Sequence, residues 1–160
     1  MSLEPSGSRP PRLDQQAVLT TSGLTPLQIM EWIREAGYRA QPELGERMLR
    51  IETGLAGYLV NVWCHTVTAL DTPCSSIQLA FQLRADTAID AGVLRSFLND
   101  YNINWRYVTA SLNSHGIITL ALDFIVDQFT TTALFAQYFR IFDNLLQDFR
   151  LTMRRAFYPD

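Results

Sequence analysis

The sequence predicts an α+β domain with a largely antiparallel five-stranded sheet, in the element order α-β-β-β-α-β-β-α. Three observations support this class. The length of 160 residues fits one domain of ordinary size. Segments whose apolar residues recur at every second position, as in half-buried strands, stand between segments with the 3.6-residue period of amphipathic helices. Short turns join neighbouring strands, which favours antiparallel pairing.

Three amphipathic helices are predicted. The first begins at Thr25, because a threonine N-cap, a proline at the first helical position and a glutamine at the third form a capping box. It ends at Gly37. The second helix is predicted over about residues 87–101. The third is predicted over about residues 130–157, where apolar side chains cover one broad face, as expected for a helix that lies across a sheet.

The five strands are predicted from alternating patterns at residues 48–52, 58–65, 76–84, 105–112 and 117–124. Residues 54–57 form the first turn, and the NSHG sequence at residues 113–116 is a hairpin signal. Both faces of the strand at residues 58–65 are apolar, which predicts at least two covered faces in that part of the sheet. A helix, residues 1–22 or a partner are the candidate covers.

The composition and the first residues exclude several functions. All 13 basic residues are arginine, so a P-loop lysine, Schiff-base chemistry and Ser–Lys hydrolysis are ruled out. The formal net charge of −3 does not favour direct binding to nucleic acid. No apolar run reaches the roughly 20 residues of a membrane span. Residues 1–22 lack the apolar run of a signal peptide and are interpreted as a flexible leader before a single domain at residues 23–160.

Candidate catalytic and metal-binding residues have simpler structural interpretations. Cys64 and His65 are neighbours on a strand, so their side chains point to opposite faces and cannot bind one ion together with Cys74. The GxxG spacing at residues 54–57 is found in nucleic-acid-binding KH loops, but here it joins two strands of an acidic chain, which favours a turn. Asp123 lies within an apolar strand and is expected to face solvent or to pair with an arginine. No enzymatic activity, metal or cofactor is predicted.

Three arginines, Arg150, Arg154 and Arg155, occur at the end of the third predicted helix. Positive charge there complements the negative end of the helix dipole, which is their simplest role. A site for a small anion is the alternative. The two cysteines are expected to be reduced in a cytoplasmic location.

Four segments from residue 97 onward carry a specific pattern: LNDYN at 98–102, WRY at 105–107, GIITL at 116–120 and the helix at 139–149. In these segments the sequence resembles the YbjN family of bacterial proteins. The WIREAGY segment at 32–38 resembles the opening helix of the family, so the resemblance covers about residues 25–150. Asn99, Asn102 and the hairpin that ends at Asp123 are its most specific parts.

The resemblance implies a fold like that of type III secretion chaperones, whose order of elements is the predicted one. The family is described as sensory-transduction regulators, and the chaperones are small acidic dimers that hold an extended segment of a client protein. The resemblance therefore implies a non-enzymatic, chaperone- or adaptor-like module that binds a client or regulatory protein. A regulatory domain that binds a small ligand is the alternative.

Four large apolar residues on the first helix and first hairpin are the candidates for partner binding, because an extended segment is held by apolar pockets and strand edges. They are Trp32, Met48, Leu59 and Trp63. Their alternative role is ordinary core packing.

A homodimer is also predicted, because three helices cannot fully cover both faces of the sheet and two-fold pairing is the commonest way to bury such a surface. Leu94, Leu98 and Trp105 are the candidate interface residues. A leader that covers the apolar face is the alternative.

Overall fold

Three helices lie on one face of a six-stranded sheet in the computed structural model, which describes residues 23–46, 48–55 and 57–158. The helices are α1 (Pro26–Glu35), α2 (Ala91–Asn104) and α3 (Thr132–Phe157). The strands are β1 (Gln41–Leu44), β2 (Met48–Leu55), β3 (Tyr58–His65), β4 (Ser76–Arg84), β5 (Thr109–Leu112) and β6 (Ile117–Ile125). The predicted leader at residues 1–22 lies outside the described residues.

The strands are arranged in the order β1-β2-β3-β4-β6-β5, and every neighbouring pair is antiparallel. The predicted α+β class and antiparallel sheet are therefore confirmed. The predicted number of five strands is one too low, because β1 precedes β2 and pairs with it at the sheet edge. All four residues of β1 are exposed, so it has no apolar alternation to reveal it in the sequence.

The helix boundaries follow from local capping. At α1 the predicted capping box is present: the Gln28 backbone N–H donates to Thr25 Oγ1 at 3.3 Å, and the Thr25 N–H donates to Gln28 Oε1 at 2.9 Å. Helix α2 begins later than predicted, because Asp90 is its N-cap and accepts hydrogen bonds from the backbone N–H groups of Gly92 and Val93. None of the described helices combines the length and apolar character needed to cross a bilayer.

The hydrophobic core lies between the three helices and one face of the sheet. Every strand residue of the core belongs to that face, and the buried residues of all three helices belong to the same cluster. The largest buried side chains are four phenylalanines of α3, namely Phe135, Phe139, Phe142 and Phe149. Full burial of one such side chain contributes about 1.5–3 kcal/mol, so α3 is the principal element that holds the sheet in place.

The opposite face of the sheet, called the open face below, carries no helix in the described part of the chain. It contains Leu59, Asn61, Trp63 and His65 of β3, of which only Asn61 is buried. Of the predicted covers for this second face of β3, a helix is excluded within the described residues, while cover by residues 1–22 or by a partner stays a prediction. In the described part of the chain the apolar side chains on this face lie at the surface.

Candidate functional site

Three of the four candidate partner-binding residues, Met48, Leu59 and Trp63, lie on the open face. Leu59 is 56% exposed, Met48 is exposed, and Trp63 is half-buried. Met48 is the cross-strand neighbour of His65, and Leu59 and Trp63 point to the same side of β3. The structure therefore brings these three side chains to one surface.

Trp32, the fourth candidate, lies on the other side of the sheet. Its ring packs edge-to-face against Phe135 and Phe139 of α3, with centroid distances of 5.4 and 5.3 Å. Such aromatic pairs stabilise a fold beyond the area that they bury. Trp32 is therefore a packing residue between α1 and α3 and does not belong to the open face.

Polar contacts surround Trp63 on the open face. The guanidinium of Arg50 lies 5.7 Å from the centre of its ring and also forms an ion pair with Glu43 of β1. On the other side of the indole, Gln78 donates a hydrogen bond of 2.8 Å to Asp123. The partner of Asp123 is thus a glutamine, and the expected arginine pairing is not seen. The open face is a mixed surface with apolar side chains between charged ones.

Two of the three candidate dimer residues are inaccessible. Leu94 and Leu98 are 1% and 2% exposed, because they are the core-facing residues of α2. Trp105 is partly exposed and stacks on Tyr101 with a centroid distance of 6.0 Å. The proposed role of Leu94 and Leu98 at a surface is therefore wrong. The dimer itself stays a prediction.

Asn102 of α2 closes the outer edge of β5. Its side-chain oxygen accepts a hydrogen bond of 2.7 Å from the backbone N–H of Ala110, and its amide nitrogen donates one of 2.9 Å to the carbonyl of the same residue. These backbone groups are the ones that an added strand would pair with. One of the two asparagines in the LNDYN segment thus has a physical role: it protects this sheet edge at Ala110.

The two cysteines lie together in the core. Both thiols are free and buried. A hydrogen bond with Cys74, burial and the charge of that neighbouring group raise the pKa of the Cys64 thiol. His65, the next residue along β3, points to the open face, as the strand alternation predicts. Within the described ranges no group of three or more metal-binding side chains occurs.

A pocket of about 700 Å³ opens beneath the C-terminal turns of α3, at the end of the sheet where β4 ends and β6 begins. We call it the α3 pocket. Its apolar wall is formed by residues of the sheet, of the loop before α2 and of α3, and it reaches Leu59 at the border with the open face. The apolar residues are Tyr58, Leu59, Phe81, Leu83, Ile89, Ile118, Phe149, Leu151 and Met153.

The polar part of the α3 pocket contains three arginines, Arg84, Arg150 and Arg154, and one carboxylate, Asp86. The Arg150 guanidinium lies 3.9 Å from the centre of the Tyr58 ring, a cation–π contact that orients both groups. The charged side chains and Tyr58 come from β3, from β4, from the loop after β4 and from α3, so they are neighbours only in the folded chain.

Asp86 is held in its ionised form by two hydrogen bonds. The backbone N–H of Ala88 donates to one carboxylate oxygen at 2.8 Å, and the Tyr158 hydroxyl donates to the other at 2.9 Å. These bonds lower the pKa of Asp86. The same carboxylate raises the pKa of Tyr158, so that the phenol keeps its proton.

Sequence reasoning identified part of this pocket. It named Arg150, Arg154 and Arg155 at the end of the third helix as an alternative anion site. Of these, Arg150 and Arg154 line the pocket, and so does Leu59, a candidate partner-binding residue. It missed Arg84 and Asp86, which have no local pattern that connects them with α3. The only available signal was that all basic residues are arginine, a side chain suited to carboxylate and phosphate groups.

Comparison with solved structures places the chain in a class of α+β proteins with a shared fold. YbjN from E. coli, described as a candidate transcription regulator, is similar with a TM-score of 0.53 and 14% identity over 79% of this chain and 87% of that one. An uncharacterised protein from Methanothermobacter thermautotrophicus is similar with a TM-score of 0.54 and 12% identity over 79% of this chain and 95% of that one. No protein-family model and no curated protein matches the sequence.

The chain therefore has a YbjN-like fold. This confirms, at the level of the fold, the resemblance that the LNDYN, WRY and GIITL segments predict. Identities of 12–14% relate the folds and carry no site residue from one protein to another.

Proposed function

We propose that the protein is a non-enzymatic regulatory module of the bacterial cytoplasm that binds a small ligand in the α3 pocket. The observation that carries the proposal is the pocket itself. Its volume of about 700 Å³ falls within the roughly 300–1,000 Å³ of small-molecule sites, and it combines an apolar wall with a few convergent polar groups. The fold shared with a candidate transcription regulator is consistent with a regulatory role.

The chemistry of the lining supports binding over catalysis. Among the described residues that line the pocket there is no serine, threonine, cysteine or histidine, and in the hydroxyl–carboxylate pair of Tyr158 and Asp86 the raised pKa keeps the proton on the phenol. The net charge of −3 argues that regulation acts through a ligand or a protein and not through direct contact with nucleic acid.

The test uses N-phenyl-1-naphthylamine, an uncharged probe whose fluorescence rises in apolar sites. We expect saturable binding with one site per chain. The variant Leu83→Trp places an indole in the apolar wall and is expected to weaken binding about tenfold. Leu112→Trp is the matched control, because Leu112 packs against the same core at a similar depth but does not line the pocket. Binding that is absent, or unchanged in Leu83→Trp, would refute the proposal.

A second candidate function is the binding of an extended, apolar segment of a partner protein on the open face. Leu59, Met48 and Trp63 favour it, because they form an apolar surface between charged groups. Asn102 closes β5 at Ala110, so such a segment would be held by its side chains on this face, with no strand added there.

The open face is also our proposed interface for the predicted homodimer. Two exposed or half-exposed tryptophans allow a matched test: Trp63→Ser alters the open face, whereas Trp105→Ser alters the end of α2. Light scattering over a tenfold dilution is expected to give a mass near twice 18.2 kDa for the native chain and for Trp105→Ser, and near 18.2 kDa for Trp63→Ser. A native mass near 18.2 kDa at every concentration would exclude the dimer.

A further inference from the structure

We infer that the ligand of the α3 pocket is an anionic amphiphile, a molecule with an apolar body and one carboxylate or phosphate group. The inference rests on the proposed function, since it names the chemical class of the ligand for that site. It follows from the lining of this pocket, in which apolar side chains form the wall and arginine side chains form the polar part.

The apolar wall fits a hydrocarbon or aromatic body. Tyr58 and Phe81 pack edge-to-face with a centroid distance of 5.2 Å, so this part of the wall is preformed. Leu83, Ile118 and Met153 complete a surface that offers dispersion contacts and no hydrogen-bonding groups from their side chains. Burial of an apolar body there would release about 25 cal/mol for each Å² removed from water.

The charges of the pocket favour a negative group on that body. Arg84, Arg150 and Arg154 bring three guanidinium groups to the pocket, and Asp86 is the one acidic residue among the described residues that line it. Asp86 already accepts hydrogen bonds from the Ala88 N–H and the Tyr158 hydroxyl. A guanidinium group binds carboxylate or phosphate oxygens through two parallel hydrogen bonds, so a ligand with such a group gains contacts that a neutral one lacks.

The experiment compares two probes with the same apolar body. 1-Anilinonaphthalene-8-sulfonate carries an anionic group, and N-phenyl-1-naphthylamine is the same molecule without it. We expect the anionic probe to bind the full chain about tenfold more tightly. The variant Arg84→Gln is expected to remove most of that difference and to leave the affinity for the neutral probe unchanged. Arg140→Gln, an exposed arginine of α3 outside the pocket, is the matched control and is expected to change neither affinity.

Competition distinguishes the two natural sources of the anionic group. Decanoate and decyl phosphate are each titrated against the bound anionic probe, with decanol as the neutral reference. The inference requires that at least one of the two anions displace the probe about tenfold better than decanol, and the better one identifies the head group.

The outcomes separate this inference from the function on which it rests. Equal affinities for the two probes, or an Arg84→Gln variant that binds the anionic probe as the native chain does, would overturn the ligand class while the pocket stays a binding site. Absence of binding by either probe would overturn both.

Discussion

The side chain of Asn102 makes two hydrogen bonds to the backbone of one residue of β5, and a substitution there tests whether these bonds stabilise the edge of the sheet. The variant Asn102→Ala removes the bonds of 2.7 and 2.9 Å to Ala110. Each such bond contributes about 0.5–1.5 kcal/mol net, so the expected loss is about 2 kcal/mol in the free energy of unfolding. Urea denaturation measures this loss as a lower midpoint with an unchanged slope.

The control for this prediction is Asn104→Ala. Asn104 is exposed on the same helix, and its side chain donates one hydrogen bond of 2.8 Å to the carbonyl of Asp100. Both variants gain the same helix propensity, so their difference isolates the contact with β5. We expect Asn104→Ala to cost less than about 0.5 kcal/mol. Equal losses for the two variants would refute the argument that Asn102 holds the edge of the sheet.

Two further predictions concern side chains of the core and the open face. Trp32→Ala is expected to lower the free energy of unfolding by about 3 kcal/mol in urea denaturation, because the ring packs between two phenylalanines. Trp63→Ala on the open face is expected to lower it by about 1 kcal/mol. A larger loss for Trp63→Ala than for Trp32→Ala would contradict the placement of the two rings. A hydrogen bond with Cys74 raises the pKa of Cys64, and burial raises that of Tyr101, so the unfolded chain releases these protons first. The contribution of these two groups to stability is therefore expected to be full below about pH 8 and to fall as the pH rises through about 8.5 and 10. Thermal melts at increasing pH measure this loss of stability, and Cys64→Ala and Tyr101→Phe should each make the loss smaller. A melting temperature that stays constant with pH would contradict the prediction.

Local patterns predicted the elements whose sequence carries their own signal. The capping box at Thr25 and the alternation of β3 both appear in the structure where they were expected. Strand β1 had no such signal, because an exposed edge strand of four residues needs no apolar alternation. The start of α2 was placed too early, because Asp90 stops the helix from extending to the residues before it.

The periodicity of a sequence shows that a helix or strand has an apolar side, but it does not show which element packs on that side. The stripe that contains Leu94 and Leu98 indicates only that one side of α2 is buried, and the structure shows that α2 buries it in the protein's own core. The apolar second face of β3 was recognised, but its exposure depends on where three helices pack. The α3 pocket depends on long-range contacts too, since Arg84 and Arg150 are neighbours only in the folded chain.

The methionines provide the most direct test of the central claim, that the ligand enters the α3 pocket. Three of the four methionines of the chain lie in different places: Met153 lines the pocket, Met48 lies on the open face, and Met30 is a core-facing residue of α1. With ¹³C-methyl-labelled methionine, titration of 1-anilinonaphthalene-8-sulfonate is expected to shift the Met153 methyl resonance saturably, because an aromatic ring enters beside it, and to leave those of Met30 and Met48 in place. A shift of Met48 without a shift of Met153 would place the ligand on the open face and contradict the account.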